Sequence, residues 1–121
     1  MFELSLQRIP FNSDADAKLR LLKSRTALAA NIICRLGFCL SLEEPGLPQN
    51  LPTEFKHGRE INRYTLLGKY DHIYIALLKT RLKKDGISLE KIDTAFLSHL
   101  HKRVELLSAR VKTVEDIGYL R

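Results

Sequence analysis

The run Glu60-Ile-Asn-Arg-Tyr-Thr-Leu-Leu-Gly-Lys-Tyr-Asp-His-Ile-Tyr-Ile-Ala-Leu-Leu-Lys-Thr-Arg-Leu82 constrains the fold most, because it joins the densest apolar and aromatic content to a boundary and a basic tail. Gly68 and Lys69 interrupt it. Asp71 is placed to set a carboxylate on the free N–H groups of a helix that begins at His72 and runs to about Lys84. At about 3.6 residues per turn, Ile73, Tyr74, Ile75, Leu77, Leu78 and Leu82 spread over roughly half the circumference, more than the stripe of a surface helix. This predicts a central helix covered on more than one side.

The remaining segments are read as its cover. Phe2, Leu4 and Leu6 alternate with Glu3, Ser5 and Gln7, the period of a strand with one buried face, and Pro10 stops it. A lone strand needs a partner, and the nearest is the same strand of another subunit. Ala15, Leu19, Leu22 and Thr26 share one face of a first helix capped by Asn12 or Ser13, with Asp14 and Asp16 in its first turn. After a break at 26–30, a second helix from about Asn31 to Glu43 is apolar nearly all round, which predicts burial on all sides. Arg35 interrupts it and requires a carboxylate, for which Glu60 is a candidate, or several carbonyls.

Pro45 to Pro52 reads as a loop and 53–59 as a solvated connector, and Glu43, Glu44 and Glu54 make this the acidic side. Asp85-Gly86 turns the chain, and Ser88 caps a helix reaching Val111. Leu89, Ile92, Phe96, Leu100, Val104, Leu107 and Val111 recur at steps of three and four, the signature of a helix packed along the central one as an antiparallel hairpin. His99, Arg103 and Arg110 edge this stripe, and Thr113 caps a short last turn.

These elements predict a mainly α fold: a compact bundle of about four helices with a short N-terminal strand, forming one domain over residues 1–121. The order strand, helix, break, helix resembles that of ribbon-helix-helix DNA-binding dimers. The chain then continues well past the point where such proteins stop.

Reactive constellations are absent from the pattern. Cys34 and Cys39 are five apart in an apolar helix and are expected to be reduced, buried and structural. His99 and His101, two apart on a helix, point their rings in different directions, where shared zinc ligation needs a spacing of three or four. There is no Gly-rich phosphate loop, Cys-X-X-Cys pair or Gly-X-Ser-X-Gly elbow. Asp71 beside His72 is better used as a helix cap than as an acid-base pair. The expectation is a non-enzyme with no cofactor, no metal and no catalytic residue; a small hydrolase or nuclease lacks the carboxylates to hold a metal.

Charge points to the partner. Residues 1–60 carry 8 basic and 7 acidic groups, residues 61–121 carry 12 and 7, and the formal net charge is +6. Two clusters contain no acid: Lys18, Arg20, Lys23 and Arg25 on the first helix, and Lys79, Arg81, Lys83 and Lys84 on the central one. Lys79 and Lys83 share an edge suited to successive phosphates, while Arg81 falls within the apolar arc. Neither a signal peptide nor a membrane-length apolar run is present, so a cytoplasmic protein is expected.

The segment from Glu60 to Asp71, with Asn31-Ile-Ile-Cys-Arg-Leu-Gly-Phe-Cys-Leu-Ser-Leu-Glu-Glu-Pro-Gly46 upstream, resembles the DndE family, small accessory proteins of bacterial DNA phosphorothioation. Order, spacing and chain length agree over nearly the whole sequence. The resemblance implies a tetrameric homo-oligomer that binds duplex DNA and prefers nicks. It implies partners that carry the sulfur chemistry: a cysteine desulfurase, an ATP- and iron-sulfur-dependent sulfur-transfer protein, and an ATPase. On this reading Lys18, Arg20, Lys23, Arg25, Lys79, Lys83 and Lys84 contact the DNA backbone. The alternative is a structural adaptor that holds those partners together without touching DNA.

Overall fold

The computed structural model describes residues 3–44 and 57–119. Two short strands, β1 (Arg8–Asn12) and β2 (His57–Asn62), pair antiparallel. Five helices accompany them: α1 (Ser13–Thr26), α2 (Ala30–Leu42), the short α3 (Arg63–Leu67), α4 (Asp71–Lys84) and α5 (Ile92–Arg110). The mainly helical fold with a strand near its N-terminus is as the residue pattern predicts.

Local chemistry explains the boundaries of α1. Asn12 is extended, and its Oδ1 accepts from the Ala15 N–H at 2.8 Å, satisfying one orphan donor of the first turn. Ala27, at φ 62°, enters the left-handed region and turns its N–H back to the Lys23 carbonyl at 2.8 Å. The chain bends by 105° into α2.

The strand lies later than the alternation of Phe2, Leu4 and Leu6 suggests. Leu4 is buried, but in irregular chain, and Phe2 lies outside the described residues. The paired segment contains Pro10, whose missing N–H costs little in a sheet where every strand is an edge. Ile9 and Phe11 alternate with it and are fully buried. The partner strand is β2 of the same chain, with Ile9 opposite Ile61. The ladder expected across subunits, as in a ribbon-helix-helix dimer, is thus made within the chain. It also turns His57, Gly58 and Arg59 from connector into strand; Glu54 and the loop 45–52 lie outside the described residues.

The centre of the core is α5 rather than α4. Phe96, Leu100, Val104 and Leu107 meet Leu19 and Leu22 of α1, Ile33 and Phe38 of α2, and Leu78 and Leu82 of α4 in one apolar cluster. The Phe38 and Phe96 rings lie 5.1 Å apart. Helix α5 packs mainly on α2 and α1, with a smaller α4 contact, in place of the expected hairpin. Gly37 permits the close α2–α5 approach: a Cβ there would stand 2.8 Å from Arg103 Cγ.

Two helices are therefore less covered than expected. On α4 only Ile75, Leu78 and Leu82 are buried, while Ile73 and Leu77 are exposed. On α2 both Ile32 and Cys39 are exposed, so this helix is not buried all round, and Cys39 is not a core residue. Cys34 is buried, and its thiol is pushed up to about 12 by desolvation.

Polar anchors fix the remaining geometry. Arg35 finds carbonyls, donating from Nε to Leu66 O at 2.7 Å and from a terminal nitrogen to Thr65 O at 3.2 Å, which docks α3 on α2. Glu60 is instead 3.8 Å from Arg8. Asp71 opens α4 but does not cap it with a side-chain hydrogen bond. Both its oxygens accept from the Arg63 fork, each at 2.8 Å, and a bidentate guanidinium outcompetes a lone backbone N–H for a carboxylate.

Candidate nucleic-acid interface

The first basic cluster occupies the outer side of α1, whose inner side is fixed by Ala15, Leu19 and Leu22 in the core. Lys18 bridges to Asp14 one turn earlier at 2.8 Å, and Arg20 reaches the buried Asp16 at 3.3 Å. Arg25 turns inward and donates to the carbonyls of Ser108 and Val111, at 2.9 and 3.2 Å, closing the C-terminal end of α5. Lys23 is exposed and has no ion-pair partner among the described residues.

The second cluster runs down α4. Lys79 pairs with Glu3 at 2.8 Å, which lays the N-terminal segment along the helix. Arg81 is tied to Asp85 at 2.9 Å with its side chain largely covered, as its position in the apolar arc suggests. Lys83 and Lys84 are exposed without ion-pair partners among the described residues, in the last turn, where cations also meet the negative end of the helix dipole.

Seven expected contact residues thus divide by environment. Lys23, Lys83 and Lys84 are exposed and have no ion-pair partner among the described residues. Lys18, Arg20 and Lys79 are held in partly exposed ion pairs of the kind worth about 0 to 1 kcal/mol, which a phosphate readily replaces. Arg25 is committed to backbone carbonyls inside the fold. The clusters sit on separate helices, each packed on α5.

Several polar residues outside the two basic clusters have defined roles. Arg59 donates to Asp16 from its side chain at 2.7 Å and from its backbone at 3.1 Å, fastening β2 to α1. His99 is buried with Ser41 Oγ 2.5 Å from Nδ1, and desolvation lowers its pKa to about 4. His101 accepts the Asn12 N–H at Nε2 (3.3 Å), which assigns its proton to Nδ1, 2.8 Å from the Leu97 carbonyl. Both rings are neutral braces of the core. Arg103 is buried and points a terminal nitrogen at Glu44, 3.3 Å away.

Two surface depressions complete the description. One, between α2 and α4, is lined by Cys39, Leu42, Glu43, Leu77, Arg81 and Lys84. Burial, reinforced by the Glu43 charge, raises the Cys39 pKa, so this thiol is not an activated nucleophile. The other lies at the α3–α4 junction and is built on the Arg63–Asp71 pair. Among the described residues no three His, Cys, Asp or Glu side chains are grouped to share a metal ion.

Known proteins agree with this architecture. DndE from Escherichia coli B7A, described by its crystal structure as involved in DNA phosphorothioation modification, aligns with a TM-score of 0.70, covering 87% of this chain and 98% of its own at 20% identity. A glycine-to-lysine mutant of DndE, also described as involved in DNA phosphorothioation, aligns at 0.66 over 84% and 97%, at 18% identity. At such identities these likenesses show the fold alone. No curated protein sequence matches the chain. The sequence model of the DNA sulphur modification protein DndE matches residues 8–115, and this chain belongs to the DndE family.

Proposed function

We propose that this protein is a non-catalytic, DNA-binding subunit of a DNA phosphorothioation system, gripping the duplex backbone and favouring nicked over intact DNA. The carrying observation is the set of exposed cations on α1 and α4, Lys23, Lys83 and Lys84, backed by Lys18 and Lys79 in weak ion pairs. Such groups neutralise phosphates without reading bases. The sulfur chemistry belongs to partners: a cysteine desulfurase, an ATP- and iron-sulfur-dependent protein and an ATPase.

The protein works as a homo-oligomer, with a tetramer as the expected state. Ile32, the half-buried Leu36 and Cys39 line the outward side of α2, and Ile73 and Leu77, with Tyr70 just ahead of the helix, form another stripe on the neighbouring α4. Adjoining apolar stripes of this kind are what a subunit contact covers. Repeated copies would also multiply the basic patches.

The test is a salt titration of binding to naked duplex DNA. The log-log slope should be about −0.9 per phosphate neutralised, and Lys23→Ala or Lys83→Ala should each flatten it by about 1. A complex insensitive to salt, or no complex at all, would return the protein to the role of adaptor between the partner proteins.

A further inference from the structure

The depression at the α3–α4 junction has a volume of about 370 Å³ and is lined chiefly by Gln7, Arg63, Tyr64, Lys69, Asp71 and His72. Its floor is nearly neutral. Arg63 satisfies both Asp71 oxygens and also donates to the Leu4 carbonyl at 2.7 Å, so neither charge is left over for a ligand. A cationic group stands at the rim: Lys69 is exposed, has no ion-pair partner among the described residues, and rests its Nζ 5.2 Å from the Tyr70 ring centroid. His72, also exposed, adds a ring N–H to the same lining.

Tyr64 is the telling residue. Within α3 the core takes Leu66 and Leu67, and Tyr64 stands 78% exposed at the mouth of the cavity. An aromatic ring displayed this way is a platform on which a nucleobase stacks, provided that the base has left its own stack. Gln7 brings an amide, both donor and acceptor, to the same cavity. Bases inside an intact duplex are not available to such a platform. The terminal base beside a nick leaves its stack more readily, because the backbone no longer ties it to its neighbour.

We propose that this cavity receives the terminal nucleotide at a strand break, its base on Tyr64 and its 5′-phosphate between Lys69 and His72. The inference rests on the duplex-binding reading above and specifies how a nick is distinguished from continuous DNA. The basic residues of α1 and α4 supply affinity for any duplex, and the cavity adds the contact that only a strand end makes.

The test uses the full chain and short duplexes of one sequence: intact, nicked with a 5′-phosphate, and nicked with a 5′-hydroxyl, with 2-aminopurine as the base at the nick. The parent protein should change the 2-aminopurine fluorescence on binding and prefer the 5′-phosphate. Tyr64→Ala should weaken binding to nicked DNA by about tenfold, the loss of one base–aromatic stack, and leave intact-duplex binding unchanged. Tyr64→Phe should retain the preference, and Lys69→Ala should abolish the distinction between phosphate and hydroxyl. Parent-like nicked binding by both Tyr64→Ala and Lys69→Ala, in a protein whose duplex binding remains salt-dependent, overturns the cavity alone. Equal losses on intact and nicked DNA also overturn it, and a parent that binds no duplex removes it together with the reading on which it rests.

Discussion

Helices α5 and α4 are both rich in apolar residues, yet one is core and the other is half surface. Eleven of the 19 residues of α5 are buried, against three of the 14 in α4. The difference lies in arrangement. In α5 the apolar residues recur at three and four in a stripe that α1, α2 and α4 cover, and burial extends past it to every residue from 95 to 101. In α4 they are spread around the axis, and a single chain of this length covers only the side carrying Ile75, Leu78 and Leu82. A wide apolar arc thus signals unfinished burial as readily as a central position, and the uncovered remainder is available to another subunit.

The largest loss of stability is expected from the core of α5. Phe96 is fully buried against Phe38, so Phe96→Ala should destabilise the protein by about 4 kcal/mol through lost transfer energy and the cavity left behind. Urea denaturation of the variant measures this directly. A loss below about 1 kcal/mol would mean that α5 is not the scaffold.

A somewhat smaller effect tests the polar side of the same helix. His99 has its pKa held down from 6.5 to about 4, chiefly by desolvation, so the folded protein keeps the ring neutral where the unfolded chain takes up a proton. Its contribution is present in full above pH 6.5 and is lost as pH falls toward 4, about 3 kcal/mol across that window. His101, also lowered mainly by burial, acts in the same direction. Melting curves across this range should show the parent losing stability more steeply than His99→Gln. Parallel pH profiles would show that His99 is not the linked group.

The smallest change in folding energy is expected on α4. Ile73→Ser combined with Leu77→Ser, both at positions 46% exposed, should shift monomer stability by no more than about 0.5 kcal/mol each. The same pair should lower the molecular mass in light scattering if these side chains lie between subunits. An unchanged mass would separate the exposed face of α4 from the oligomer contact.

How legible the fold was depended on whether a residue's role is local. The cap at Asn12, the end of α1 near Thr26 and the stripe of α5 follow from spacing and hydrogen-bonding chemistry within a few residues. Strand β2 was not legible, because His57-Gly58-Arg59-Glu60 looks like solvated connector until the ladder with β1 and the Arg59 bond to Asp16 are in place. Asp71 has the right position for a cap and was reassigned by a guanidinium eight residues earlier, in the intervening fold. At the candidate interface, spacing identified the basic residues but not which were free. Arg25 lies among the lysines in sequence, yet its donors are used by carbonyls more than 80 residues away. Tyr64 carried no signal of its own, since exposure of a single ring depends on which neighbours the core takes.

The most direct measurement of the functional account compares duplexes of identical sequence that are intact, nicked or gapped, titrated with the protein in gel-shift assays at several salt concentrations. A nick removes part of the elastic cost of bending, which for a short site is on the order of 1 to 6 kcal/mol. Binding to nicked DNA should be tighter than to intact DNA, with affinity for every duplex falling steeply as salt rises. Equal affinities for the three duplexes would contradict the preference for strand breaks, and affinities that ignore salt would contradict backbone recognition itself.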